Sequence, residues 1–245
     1  MATTPRARAR AQTMADILRI GREHLAVHGA AALSLRAVAR DLGVVSSAVY
    51  RYVANRDDLL TLLVVDAYEE LGNAVDNAVA VVDPHDALGR FRALARAVRR
   101  WGLREPARYA LLFGSPVPGY RAPAERTTEP GTRVVVRLVD ILTAAYADGM
   151  LRLPAAGEIP DTLHTDLDRI RTETGTDLPD AALARGVLLW SALFGAVSFE
   201  VFGQYGENTF SAPDDLFEHH LAILAETAGL GAAPTDREWG LRAPE

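Results

Sequence analysis

Apolar residues recur at three- and four-residue intervals along most of this chain, the period of helices that bury one face. Between Thr13 and His28, Ile17, Ile20, Leu25 and Val27 alternate with polar positions, and Gly29 ends the run. Ser34 is a suitable N-cap for a second helix, Leu35–Leu42, which breaks at Gly43. A short third helix is expected at about Ser46–Tyr52. Asn55 or Arg56 opens a long fourth helix reaching about Val82, with Asp57 and Asp58 in the first turn, where acids suit the helix dipole. Further helices are expected over Asp86–Arg104, from Pro106 onward, and over Thr132–Asp148, Asp180–Tyr205 and Asp214–Ala228. Four prolines and two glycines mark Gly114–Pro130 as a loop or lid. Residues 149–179 are mixed, with one short helix near Leu163–Thr172, and the tail Gly229–Glu245 is expected to be poorly ordered. No segment alternates as a strand would and no repeat is present. The reading is an all-α chain of about nine helices.

Composition narrows the class. Among 245 residues there is no cysteine, which excludes disulfides, thiolate metal sites and a cysteine nucleophile. No run of about eighteen apolar residues stands out as a membrane span, and the basic N-terminus lacks the apolar core of a signal peptide. A soluble, cytoplasmic protein without a cofactor is expected.

Charge is uneven. The chain carries −6 overall, yet residues 1–56 hold nine arginines against Asp16, Glu23 and Asp41, a net +6, while the remainder holds 17 arginines and 29 acids, a net −12. A basic head on an acidic body fits a protein whose head alone meets nucleic acid; a basic tail on an ordinary acidic protein gives the same totals. The expected organisation is a basic flexible arm (1–12), a DNA-binding head (13–56), a helical body (57–228) and a flexible tail (229–245).

The informative stretch is Ser34–Val53, SLRAVARDLGVVSSAVYRYV. A helix-turn-helix needs a small residue where its helices approach, here Ala39, and a turn residue that tolerates positive φ, here Gly43. Val38, Leu42, Val44, Val49 and Tyr52 supply an apolar inner face. Val45, Ser46, Ser47, Tyr50 and Arg51 then face outward, as a groove-reading surface requires. A helical hairpin inside an α bundle shares this spacing, so the flanks matter.

With its flanks, the segment resembles the TetR family of transcriptional regulators. The matching residues are His28-Gly29, Ser34-Leu35-Arg36, Gly43-Val44, Val49-Tyr50-Arg51-Tyr52-Val53 and Asn55-Arg56-Asp57-Asp58-Leu59-Leu60, covering about residues 13–65. Departures are Val45 where the family often has Ser or Thr, Val53 for Phe, and Arg56 for Lys. The loss of the hydroxyl at Val45 passes the recognition-helix cap to Ser46. The resemblance implies a homodimer on a palindromic operator, its heads about 34 Å apart, released by a small-molecule effector. Ser34 would donate to a phosphate, and Arg36 would reach a phosphate or base edge. Ser46, Ser47 and Arg51 are the choices for groove contacts, since Arg pairs bidentately with guanine. Tyr50 would meet a phosphate or thymine methyl, and Arg56 a phosphate. Arg6, Arg8 and Arg10 either track the DNA or form a solvated tail.

In the body, Leu188–Gly203 resembles the helix before the last in an actinobacterial-style subgroup of the family, which pairs with a second subunit; burial within one chain explains its apolar face as simply. Candidate effector contacts are aromatic: Trp101, Tyr109, Phe113, Tyr120, Tyr146, Trp190 and Phe194. Plain core packing is the alternative for each. The effector is expected to be largely apolar; a protein-binding body without effector, or an effector-binding bundle with a vestigial head, are the competing readings. Catalysis is rejected. His24/His28, the Asp161–Asp168 run and His219-His220 lack the third ligand, the calcium-loop glycine and the shared direction that metal binding would need, and no phosphate-loop, nucleophile-elbow or dinucleotide fingerprint occurs.

Overall fold

A computed structural model describes residues 4–153 and 159–230. Among these residues the chain forms ten α-helices and no strand: α1 Pro5–His28, α2 Leu35–Asp41, α3 Ser46–Val49, α4 Arg56–Ala80, α5 Ala87–Arg104, α6 Pro106–Phe113, α7 Ala124–Ala147, α8 Asp161–Thr174, α9 Asp180–Val201 and α10 Pro213–Ala228. A single 3-10 turn, Ala30–Ala32, links α1 to α2. The all-α expectation holds, with one helix more than the count of about nine.

The helices bury two apolar clusters. In the head, Ile17 and Ile20 of α1 meet Leu35, Val38 and Ala39 of α2, Val49 of α3 and Val53 beyond it. The second cluster gathers α5, α7, α9 and α10 around Phe91, Leu94, Trp101, Ile141, Leu193 and Leu221. Helix α4 serves both. Leu59, Leu60 and Leu63 from its first turns complete the head, and Ala67, Leu71, Val75 and Val79 from the rest enter the body. Its 25 residues span about 37 Å. Each fully buried Leu or Val on it is worth about 1.5–3 kcal/mol relative to exposure, so the helix is fixed at both ends by packing. Gly21 lets α1 approach it closely: a Cβ there would stand 3.3 Å from a Leu63 methyl.

Several boundaries depart from expectation. Helix α1 begins at Pro5, so Arg6, Arg8 and Arg10 sit on a helix where a flexible arm was expected; residues 1–3 lie outside the described residues. Within the expected loop Gly114–Pro130, α7 already starts at Ala124 and contains Pro130. Pro130 removes the N–H that would bond the Arg126 carbonyl, and the helix continues past it because Val134, Leu138, Ile141 and Leu142 are buried in the body. Helix α8 runs from Asp161, longer than expected. Gly229 and Leu230 are buried, and Arg152 donates to the Gly229 carbonyl at 2.9 Å, so the chain is held to that point; the remainder of the expected flexible tail lies outside the described residues. Val27, expected to face inward, is 74% exposed.

Helix α9 carries more apolar surface than one chain buries. Its most apolar 18 residues have a mean hydropathy of 1.6, enough by length and composition to cross a membrane, yet only a third of that stretch is buried. Val187, Leu188 and Phe199 on α9 are about half exposed, as is Ile223 on α10. Leu188, Ala192, Gly195 and Phe199 follow one another at intervals of four, three and four residues, so they share one helical face.

Candidate nucleic-acid interface

The head positions its outward side chains by a tight turn. Leu42 donates back to Val38 (2.9 Å), Gly43 to Arg40 (3.0 Å) and Val44 to Ala39 (3.0 Å), and Gly43 takes φ +74°. Only glycine adopts that conformation without strain. The chain then reverses into α3, and Val49 drops into the core at 1% exposure. With Val49 inward, Val45, Ser47, Tyr50 and Arg51 are exposed, while Ser46 is half-buried. Arg36 on α2 is exposed, and Ser34 just before α2 is half-buried. The structure thus brings Ser34, Arg36, Val45, Ser46, Ser47, Tyr50 and Arg51 onto the segments that bound one side of the head.

Four local details differ from expectation. Ser34 stands at the N-cap of α2, but its side chain makes no capping bond. Val45, not Ser46, is the N-cap residue of α3, and it caps with backbone alone; Ser46 is the first helical residue. Val44 is 40% exposed rather than lining the inner face. Arg56 turns back into the protein: its Nη2 donates to the carbonyls of Ala30 (3.0 Å) and Ala31 (3.1 Å), tying the start of α4 to the turn after α1. These bonds occupy donors that the sequence reading assigned to a phosphate. Asn55 caps α4, its side chain accepting from the Asp58 N–H at 2.9 Å.

Three histidines, His24, His85 and His164, each bond an aspartate carboxylate. His24 bonds Asp41 across α1 and α2 at 2.6 Å, and this bond, with help from Arg40, holds the Asp41 carboxyl below its ordinary range. Among the described residues no group of three or more His, Asp or Glu side chains is disposed to hold a metal ion.

In the body, five of the seven aromatic candidates meet. Trp190 stacks near Phe194 (centroids 4.2 Å), Phe194 near Phe113 (4.7 Å), Phe113 near Tyr109 (5.0 Å), and Tyr109 near Trp101 (6.5 Å). The Tyr109 hydroxyl donates to the Phe194 carbonyl (3.2 Å) and shares a bond with Ser198 (2.9 Å); burial nevertheless pushes its pKa up. Two candidates do not join them. Tyr146 is 44% exposed near the end of α7. Tyr120 packs beside the head cluster and bonds the Thr61 hydroxyl at 3.0 Å; the prolines around it place its loop against α4 rather than over the aromatic group.

Sequence reasoning missed an ion network between these two regions. Arg108 of α6 has a side chain only 5% exposed. Its guanidinium donates to the Asp66 carboxylate (2.8 Å), the Asp66 carbonyl (3.1 Å) and Glu70, all on α4. Arg22 of α1 donates to the same Asp66 carboxylate, with Nε at 2.9 Å. Glu70 also accepts from Arg104 (3.0 Å) and from the Trp101 indole (3.3 Å). Burial pushes the Glu70 carboxyl up, but the hydrogen bond and charge of Arg108, with Arg104 and Trp101, outweigh this and hold it below the usual range. A usable signal was present: Asp66 and Glu70 stand four apart on α4, and Arg108 interrupts the otherwise apolar end of α6.

Comparison with known proteins agrees with this geometry. Residues 17–63 match the profile of bacterial regulatory proteins of the tetR family, and residues 91–224 match a tetracyclin repressor-like C-terminal domain. HTH-type transcriptional regulators Rv1816 of Mycobacterium tuberculosis and Mb1846 of Mycobacterium bovis are each 48% identical over 222 residues, covering 89% of this chain and 94% of theirs. The crystal structure of a regulatory protein designated SCO4313 superposes with a TM-score of 0.75 at 36% identity, over 91% of this chain and all of that one. The TetR-family regulator PfmR of Thermus thermophilus shares the fold, with a TM-score of 0.53 at 17% identity over 88% of this chain and 99% of that one. The names of these matches describe regulators rather than enzymes, and the exposed face of α3 is the surface a helix-turn-helix presents to DNA. The chain belongs to the TetR family of helix-turn-helix, DNA-binding transcriptional regulators.

Proposed function

We infer that the protein acts as a homodimeric repressor on a palindromic operator and is released from it by a small, largely apolar molecule bound in the body. The observation that carries this reading is the shared carboxylate of Asp66, held at once by Arg22 of the head and Arg108 of the body. Through Glu70 the same network reaches Trp101, and so the aromatic group of Tyr109, Phe113, Trp190 and Phe194. A molecule that parted those rings would shift α6 against α4, and the shift would pass to α1 through Asp66. The ligand must bind the released arrangement better than the DNA-bound one, or the equilibrium does not move. Dimerisation is supported by the exposed apolar face of α9 and α10, where Leu188, Gly195, Phe199 and Ile223 would pair with a second copy. Each head would present Ser47, Tyr50 and Arg51, with Ser46 and Val45 beside them, to one major groove, and Ser34 and Arg36 to the adjoining backbone.

A second reading has its own support. Trp101 and Tyr109 are completely buried and the rings lie against one another, as expected of a body that binds a partner protein and no effector. One experiment separates the two. The protein is bound to DNA that it has itself selected from a random pool, and a library of apolar small molecules is screened for release and for a raised Tm. Release by one chemical class supports the effector reading; a library that neither releases DNA nor raises Tm, with a co-purifying protein that does release it, supports the other.

A further inference from the structure

Helix α1 extends well beyond the head it belongs to. Thr4 accepts the Ala7 N–H at 3.3 Å and Pro5 follows in the first turn, so the helix is capped and set from its first residue. Every residue from Thr4 to Gln12 is exposed, and the first fully buried side chain is Ile17. The two turns bearing Arg6, Arg8 and Arg10 therefore project as a rod, with no acidic residue in the first turn. Such a rod is electrostatically unfavourable alone. Cations near a helix N-terminus oppose the dipole, and Arg6 and Arg10, four apart on one face, repel each other. What orients that face is an aromatic ring: the Arg10 guanidinium lies 5.3 Å over Tyr52, three residues past the end of α3. Stacking uses the flat face of the guanidinium and leaves in-plane N–H groups to donate.

We propose that Arg6 and Arg10 bind backbone phosphates of the DNA flanking the bases that α3 reads, with Tyr52 positioning Arg10. The occupant follows from charge complementarity and from continuity with the helix-turn-helix surface. An extended arm could lay its arginines in the minor groove. An α-helix with its side chains is about 10–12 Å across and does not fit a groove about 6 Å wide. The contact is therefore to phosphates, which add affinity and fix register without reading sequence. The proposal deepens the DNA-binding role and rests on it.

The test uses the full chain, with fluorescence anisotropy on self-selected DNA carrying either A·T-rich or G·C-rich flanks, between 50 and 200 mM salt. For the double variant Arg6→Ala/Arg10→Ala we expect the slope of log K against log salt to fall by about 1.8 per bound protomer, about 3.6 for a dimer, at about 0.9 per phosphate, with the same fold-loss on both flanks. Arg10→Lys should keep the slope. Tyr52→Leu, checked by its melting curve, should reproduce the Arg10→Ala share of the loss. Arg100→Ala/Arg96→Ala, an equal charge change at two exposed positions of α5, should leave the slope unchanged. An unchanged slope in the double variant overturns the proposal, and so does a loss confined to A·T-rich flanks, which would mean minor-groove insertion. If the unsubstituted protein binds no DNA, the DNA-binding role falls with it; if it binds with a steep slope that the variants share, only this proposal falls.

Discussion

Arg51 and Arg56 lie five residues apart, and their guanidinium groups meet different surroundings. Arg51 is exposed just beyond α3, whereas Arg56 is spent on the Ala30 and Ala31 carbonyls. Replacing them should separate reading from folding. Arg51→Ala is expected to cost about 1–3 kcal/mol on the selected operator and to relax preference at one base pair, measured by competition with point-mutated sites, with Tm unchanged. Arg56→Ala should instead lower the stability of the head by about 1.5–3 kcal/mol, the range for a hydrogen bond from a charged group, measured by urea unfolding. The outward placement of Arg51 was legible in the sequence, because it lies on the face opposite the apolar Val49. The inward turn of Arg56 was not, because its partners are backbone carbonyls 25 and 26 residues away, which no side-chain pattern announces.

At the scale of elements, the period of apolar residues located nine or ten helices but not what joins them. Pro130 was legible as a breaker and yet lies within α7, because the apolar residues that follow it on the helix are buried in the body and outweigh one lost hydrogen bond. The Asp66–Glu70 face of α4 was hidden for a related reason: three arginines on three other helices converge on it, and convergence is a property of packing. That network makes the joint between head and body sensitive to acid. The folded-state pKa of Glu70 lies below its ordinary value. Its contribution is therefore full above the usual carboxylate range, near pH 4.3, and is lost as pH falls through the depressed folded value. Glu70→Gln should flatten the pH dependence of Tm below about pH 4.5, as thermal melts across that range would show. Asp66→Asn is expected to keep the protein folded and DNA-binding while weakening the link between body and head. On α9, a Cβ added at Gly195 would meet nothing within 4 Å. Gly195→Arg should leave the single chain intact, with a normal circular dichroism spectrum, and should convert dimer to monomer in sedimentation; a variant that remains dimeric would place the interface elsewhere.

Across the whole molecule, charge and shape point the same way. The +6 of residues 1–56 belongs to the head, carried mostly by α1 and α2 with Arg51 and Arg56 beyond α3, while the rest of the sequence is net −12. Such a molecule approaches a polyanion head first, and its affinity falls as salt rises. The fold class, the position of the DNA-reading helix and the basic end were all readable from residue order, since each depends on local period or on charge counts. Which aromatic residues meet was not: Tyr120 and Tyr146 belong by composition with Trp101 and Phe113 but lie elsewhere, because only the path of the chain between helices decides it.

The most direct test of the account is binding of the purified protein to DNA selected by it from a random pool. Enrichment of a two-fold symmetric sequence with half-sites one helical turn apart is predicted, bound at least ~1,000-fold more tightly than random DNA, with Arg51→Ala losing about 1–3 kcal/mol of that preference at the base pair it reads. Selection that enriches no sequence, or binding that Arg51→Ala leaves unchanged, would contradict it.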